Sequence, residues 1–311
     1  MRENRFISVI GGYVFLGKYI VNILLNKGYY VKVISRTATL SQKNFTLHKP
    51  GQYQLINCDI KNTEKLESDL RGTDYVINLV GLLINKKNNS FVDIHHMALK
   101  NIVSICKNLN VKKLIHISAI GADKSSKSEY AKTKYYGEQE VKNFRNYCIL
   151  RPSIVYGDED NFINFFAKTS KISPFIPLIG GGANLFQPIW VHDVAEVIVY
   201  ILEKNIKGKV LEIGGEEIYS FKKILEMILE ELELKRKLIT IPFNLSRRLA
   251  FLLQMMPNPI LTMDQVELLK KDNIISKKYD YRKTLKYLPM PFKKMLKKQL
   301  GFMKKNGGHL N

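Results

Sequence analysis

An α/β fold, a doubly wound parallel sheet of Rossmann type with a smaller, mainly helical C-terminal lobe, follows from three features of the sequence. A β-rich run, Phe6 to Ile10, breaks at Gly11-Gly12, and Phe15, Leu16, Ile20, Ile23 and Leu24 then recur at helical spacing before a second strand from Tyr29 to Ile34. Short apolar strands alternate with helical patterns as far as Gly157, the order that a parallel sheet with crossover helices needs. From Asn161 that pattern stops, and Pro- and Gly-rich sequence gives way to amphipathic helices.

The bulk composition fits. At 311 residues, with 45% apolar and 25% charged residues, the chain can bury a substantial core. Its 49 Lys and Arg against 28 Asp and Glu give a net charge of +21, which favours anionic partners: phosphates, acidic lipid headgroups or acidic protein surfaces. Nucleic acid is not expected, because no helix-turn-helix, zinc-finger or RNA-binding signature accompanies the charge. Cys58, Cys106 and Cys148 are too scattered for a disulfide framework or a metal site, so no metal is expected and the compartment reads as reducing. No signal segment precedes the first strand and no 18-residue apolar run exists, so a cytoplasmic protein is expected, soluble or peripheral on the membrane's inner face.

The opening strand-turn-helix reads as a dinucleotide cradle, in which the turn is tight, the backbone must approach a pyrophosphate and the helix N-terminus favours the negative charge; the other reading is a glycine turn with no ligand. Gly11, Gly12, Val14, Phe15, Leu16 and Gly17 form it. The turn resembles the short-chain dehydrogenase/reductase version of this loop, and that resemblance implies a middle glycine where Val14 stands; its methyl groups would point at the phosphates, and a positive φ there would cost roughly 1–2 kcal/mol. Arg36, at the end of the second strand, suits the 2′-phosphate of NADP(H) where an acid would suit NAD(H). The other reading of Arg36 is a solvated loop residue.

A third strand, Tyr53 to Asp59, ends at Asp59-Ile60, which either meets the adenine or caps the helix of Thr63 to Leu70. The strand of Tyr75 to Gly81 brings Asn78 and Gly81 to the ribose side. His95 and His96 open a helix running to about Leu109; adjacent helical residues diverge, which makes them poor joint metal ligands.

The strand from Lys113 ends at Ser118, and twelve residues on Tyr130-x-x-x-Lys134 opens a helix. The i, i+4 spacing puts both on one face, where an ammonium can lower a phenol's pKa toward acid–base use. Tyr-x-x-x-Lys recurs from Tyr200, Tyr219 and Tyr279, so position after a Ser-ended strand, not the motif, carries the inference.

The remainder reads as a strand from Cys148 to Gly157, helical sequence from Phe162 to Phe166, and a loop from Ile172 to Ala183 covering the nicotinamide end. A strand and helix follow over Gln187 to Ile201, a strand over Val210 to Gly215 and a helix over Phe221 to Leu232. Two apolar-faced helices, Pro242 to Met256 and Leu261 to Lys271, complete the lobe. The expected domains are 1–160, returning at about 187–215, for the nucleotide; 161–186 and 216–281 for the smaller lobe; and 282–311 as a basic tail. Between Arg282 and Lys305 that tail has no acid, and Phe292, Met295, Leu296, Gln299, Leu300, Phe302 and Met303 fall to one side. It reads as an element for an anionic membrane surface, a docking arm for an acidic partner, or a solvated end.

Ile10 to Gly17, Val76 to Gly81, His116 to Ala122, Leu150 to Ser153, Pro177 to Gly182, Phe186 to Pro188, Val191 to Ala195 and Leu261 to Val266 together resemble an extended short-chain dehydrogenase/reductase of the epimerase-like superfamily. The later pieces resemble, more narrowly, the alpha-subcomplex subunit nine family of accessory subunits of respiratory complex I. That resemblance implies bound NADP(H) serving structure more than turnover, complex I subunits as partners, and a role in assembly or quinone metabolism. It also places Pro152 beside the cofactor and matches Ser118, Tyr130 and Lys134 to the superfamily's catalytic positions. An active NADP-dependent oxidoreductase or epimerase on a carbonyl or sugar-nucleotide substrate is the alternative, and a sensor that only reads NADPH a third.

Overall fold

The computed structural model describes residues 5–39, 45, 49–85 and 89–303. The chain divides into two compact units: Met1–Pro152 with Val191–Glu212 and Tyr279–Leu285, and Ser153–Trp190 with Ile213–Lys278 and Lys286–Asn311.

In chain order the first unit opens with β1 (Phe6–Ile10), α1 (Phe15–Asn26), β2 (Tyr30–Ser35), β3 (Tyr53–Asn57), α2 (Thr63–Leu70) and β4 (Tyr75–Asn78). It continues with α3 (Ala98–Asn108), β5 (Lys113–Ile117), α4 (Glu129–Lys142) and β6 (Tyr147–Pro152). The second unit then contributes β7 (Val155–Tyr156), α5 (Ile163–Ile172), β8 (Phe175–Ile179), β9 (Leu185–Phe186) and β10 (Ile189–Trp190). After α6 (Val191–Glu203) and β11 (Lys209–Ile213) the second unit resumes with β12 (Tyr219–Ser220), α7 (Phe221–Glu231), β13 (Lys237–Ile241), α8 (Phe243–Leu253), α9 (Met263–Leu268) and α10 (Phe292–Leu300).

The sheet of the first unit runs β11-β6-β5-β4-β1-β2-β3, with parallel pairing from β3 through to β6. Strand order reverses between β1 and β4, which makes the carboxyl end of β1 the switch point where a doubly wound sheet binds its ligand. Ile7, Val9 and Ile10 are buried, as a central strand covered on both faces demands. One face carries a core of Leu66, Leu70, Leu99, Ile102, Cys106 and Val141; α1 packs beside α6. All three cysteines are free and buried.

In the second unit, the stretch expected as a covering loop contains β8, paired in parallel with β13 from Phe175↔Lys237 to Ile179↔Ile241. Pro177 reads as a breaker in the sequence, but a two-stranded ribbon has only edge strands, where the missing N–H is tolerated. The expected amphipathic tail is also different. Phe292, Met295, Leu296, Gln299 and Leu300 are buried in the unit itself, with the Phe292 ring 4.9 Å from Tyr156 and 5.4 Å from Tyr219. Those five residues are spent on packing, while Phe302 of the same expected face is exposed, and Lys293, Lys294, Lys297 and Lys298 lie outward. Lys304 and Lys305 lie outside the described residues. No helix of the described residues is long and apolar enough to cross a membrane.

Candidate functional site

The turn after β1 is shaped by steric contact. Gly11 has φ +83°, and a Cβ on Gly17 would sit 2.5 Å from Gly11 O and 2.6 Å from Gly12 Cα, so α1 starts in backbone contact with the turn. Gly11 N donates to Ile34 O at 2.8 Å, tying the turn to β2. The sequence raised a strain at Val14 that the structure removes: φ is −88° and ψ 161°, an ordinary extended N-cap conformation, and the side chain is 56% exposed. Val14 provides no side-chain cap and the first turn of α1 has no acid, so the N–H groups at Phe15 and Leu16, which a helix start leaves without intrahelical acceptors, suit an anion.

Arg36 follows β2 and is exposed. Asp59 does not cap α2; its Oδ1 accepts from Lys61 N at 3.0 Å, and the cap is Asn62, whose Oδ1 accepts from Lys65 N at 3.1 Å. Asp59 is half-buried beside buried Ile60, at the end of β3.

A second group of residues gathers at the carboxyl ends of β4 and β5. Asn78 and His116 face each other in register, and Asn78 Nδ2 donates to His116 Nδ1 at 3.1 Å. The amide is oriented by Val80 N, which donates to Asn78 Oδ1 at 3.2 Å. His116 must therefore accept at Nδ1 and carry its proton on Nε2, a fully buried atom without a partner among the described residues. His116 and Ser118 lie two apart and so share a face; Ser118 Oγ is likewise buried and unpartnered among the described residues.

His95 sits in a π-helical turn, Asp93–Met97, ahead of α3. Leu82 N donates to its Nε2 at 2.9 Å, which puts the proton on Nδ1, 3.0 Å from Thr133 Oγ1. The ring stacks on Phe91 and meets Tyr130 edge-on at 5.3 Å. Burial first, then Lys134 and His116, hold its pKa down to about 2; His116 is pushed well below the usual range by burial and Lys134. Both rings are neutral structural polar groups.

Lys134 projects from α4 into this pocket. Its Nζ donates to Ile117 O at 3.3 Å and lies 5.9 Å from the centre of the half-buried Tyr130 ring. Burial brings its pKa down to about 8, against a smaller opposing pull from Glu138. Gly81 is at the ammonium: a Cβ there would come 2.9 Å from Nζ. Pro152 closes β6 and accepts from Ile120 N at 3.1 Å, fixing the loop after Ser118.

The first unit thus brings the Gly11–Gly17 turn to the switch point, and Asn78, Gly81, Ser118, Tyr130 and Lys134 together beyond β4 and β5. The residues fit a nicotinamide dinucleotide: a tight glycine turn that leads into a helix start without a side-chain cap, and beyond β5 the buried Ser118 hydroxyl, which has no partner among the described residues, following Ile117, whose carbonyl accepts from the buried Lys134 ammonium. The model of the NAD dependent epimerase/dehydratase family matches residues 7–214. The chain belongs to that family. Membership carries nicotinamide-dinucleotide binding, consistent with the cradle.

Among similar proteins, NADH dehydrogenase (ubiquinone) 1 alpha subcomplex subunit 9, mitochondrial, of Dictyostelium discoideum is 34% identical over 226 residues, 72% of this chain and 63% of that protein. This chain therefore spans less than two thirds of that relative's length. The Arabidopsis thaliana protein of the same name is 30% identical over 283 residues, 86% of this chain and 70% of its own length. In fold, the chain matches dTDP-glucose 4,6-dehydratase of Bacillus anthracis, solved with NAD, at TM-score 0.74 and 17% identity over 97% of each chain. UDP-glucose 4-epimerase of Thermotoga maritima matches at TM-score 0.74 and 18% identity, over 96% of this chain and 98% of that one.

Among the family member's pocket residues, the sequence reading missed His116 and Thr133 and gave His95 no place in the site. Strand alternation back from Ser118 points to His116; nothing local in the sequence signals the π turn that delivers His95.

Proposed function

We propose that this chain is a subunit-nine-like accessory protein of a respiratory NADH dehydrogenase that holds NADP(H) in its first unit as a structural group. The observation that carries this is the 30% identity to the Arabidopsis subunit over 86% of the chain, well beyond the residues shared with the epimerase/dehydratase family as a whole. Arg36 reads the 2′-phosphate; Gly11, Gly12, Val14, Phe15, Leu16 and Gly17 hold the pyrophosphate; Asp59 and Ile60 meet the adenine. Asn78, Gly81, Tyr130, Lys134 and Pro152 border the nicotinamide ribose. Complex I subunits are the partners, at the cytoplasmic face of a bacterial membrane or its organellar equivalent. The lysine face of α10 is a docking surface for an acidic neighbour.

Native purification, denaturation and assay of the released nucleotide test the reading. Stoichiometric NADP(H) together with co-isolated complex I subunits is the expected result. An empty protein that also fails to bind added NADPH overturns the cofactor role, and recovery only as a free protein overturns the partnership.

Ser118 favours a second reading, an active oxidoreductase or epimerase, because a buried hydroxyl without a partner loses on the order of 1–3 kcal/mol unless a ligand satisfies it. When bound, the dinucleotide supplies hydride transfer. In this reading Ser118 Oγ donates to the substrate oxygen, Tyr130 hydroxyl exchanges its proton with that oxygen, and Lys134 stabilises the phenolate and holds the ribose. Tyr130→Phe would then abolish turnover and leave nucleotide content intact; normal turnover by that variant would exclude the mechanism.

A further inference from the structure

Helix α8 presents the reverse of an ordinary surface helix. Its buried residues are the small Ser246 and Ala250, while Leu249, Phe251 and Leu252 are exposed, Leu252 by 63%. The turn that follows continues the display with Met255 at 77%, Met256 at 49% and Ile260 at 61%. Water-facing surfaces do not ordinarily gather six large apolar side chains in one short segment, and such patches mark contacts.

Charge says with what. From Lys235 to Met263 the sequence contains no Asp or Glu, and Arg247 and Arg248, both exposed on α8, make no ion pair among the described residues. We infer that α8 and the turn to Ile260 form an interfacial element that lies on an anionic lipid bilayer, with the apolar side chains in the acyl boundary and the two arginines at the phosphates.

The dimensions agree. Eleven residues span about 17 Å, too short for a hydrocarbon core of about 30 Å, so the helix lies on the membrane and does not cross it. Leu, Phe and Met are adaptable fillers that lipid tails accept without a matched shape. Pro257 and Pro259, at the tip, bring no backbone N–H to a depth where such donors lack partners. A second copy of this chain is a poor occupant, because a two-fold contact sets the same patch against itself with no acid to meet the arginines. This inference is independent of the nucleotide reading.

The test is flotation of the 311-residue protein with vesicles of phosphatidylcholine alone or with about one third phosphatidylglycerol. Binding is expected to the anionic vesicles, with part of it surviving high salt because apolar insertion is not screened. Leu252→Ser with Met255→Ser keeps every charge and should weaken binding about a hundredfold. Arg247→Gln with Arg248→Gln should weaken it about thirtyfold. Leu252→Trp adds an exposed reporter to a chain whose single Trp, Trp190, is buried, and its emission should shift to the blue on vesicles.

Unchanged binding by the serine variant would mean that the +21 charge alone attracts the protein, and the proposal falls. It falls equally if the Leu252→Trp reporter stays water-like on vesicles but is shielded in an isolated respiratory complex, which would make α8 a protein interface. Nucleotide content and thermal unfolding of each variant, expected unchanged, separate these outcomes from misfolding.

Discussion

Gly81 and Lys134 are in contact across the site: a Cβ added to Gly81 would lie 2.9 Å from the Lys134 ammonium. The loop after β4 therefore carries no side chain at the point where the lysine of α4 lies. Gly81→Ala should shift Nζ by a few tenths of an ångström, which a flexible side chain accommodates at little cost in stability. Under the proposal that Lys134 holds the ribose, nucleotide affinity should fall about tenfold, roughly 1.4 kcal/mol. Equilibrium binding of NADPH beside a thermal melt checks this; a large drop in melting temperature with unaltered affinity would contradict it.

Gly17 presents the opposite case, since its neighbours are backbone. In an open helix Gly→Ala gains about 1 kcal/mol. Here the new methyl would meet Gly11 O at 2.5 Å and Gly12 Cα at 2.6 Å, neither of which can move without opening the turn. The clash should win, for a net loss of about 1–3 kcal/mol. Urea unfolding with an unchanged slope measures it. Gly28→Ala serves as the comparison: no atom lies within 4 Å of its Cβ, so the cost there comes only from φ +83°.

The two buried histidines make stability fall with acid. Each has a folded pKa below its unfolded value near 6.5, His95 at about 2 and His116 well below the usual range, both chiefly through burial. Below pH 6.5 the unfolded chain therefore binds protons that the folded chain refuses. Stability is complete above that pH and is lost as pH falls, by up to about 1.4 kcal/mol per unit for each histidine. His95→Gln should remove one proton from the slope of unfolding free energy between pH 6 and about 4. An unchanged slope would mean that His95 protonates in the folded state.

The sheet was legible because strands buried on both faces read as apolar runs and glycine marks the one turn that must touch α1. Tyr130 and Lys134 could be picked from four equivalent pairs only through the Ser118-ended strand before them. Other features were not written locally. The absence of strain at Val14 rests on a backbone angle that no side-chain pattern reports. The strand β8 was hidden by Pro177, whose tolerance depends on having a neighbour on one side only. The apolar stripe of α10 is the same whether it faces lipid or Tyr156, and only the fold says which. His95 reaches the site through a π turn, a change of helical register that leaves no mark in hydrophobic spacing.

Arg151 holds the helix that carries Tyr130 and Lys134. From β6 its Nε and Nη2 donate to both carboxylate oxygens of Glu138 on α4 at 2.7 Å, its Nη1 reaches Glu212 at 3.3 Å, and the guanidinium lies over the Tyr279 ring. Arg151 and both carboxylates are buried, Glu138 completely. Removing one side of such a pair leaves uncompensated charge in the interior, so Arg151→Met should cost about 3–5 kcal/mol. Glu138 loses both of its Arg151 bonds and Glu212 one, and α4 loses its tie to the sheet one turn from Lys134. Glu138→Leu added to Arg151→Met should recover part of the loss, because a buried pair replaced by apolar groups is near neutral, while Glu212 still lacks its contact with Arg151. A double-mutant cycle by urea unfolding gives the coupling. Additive losses would show that Arg151 acts through Tyr279 and Glu212 alone, and nucleotide binding by the recovered double variant would show whether the tie matters to the site beyond keeping it folded.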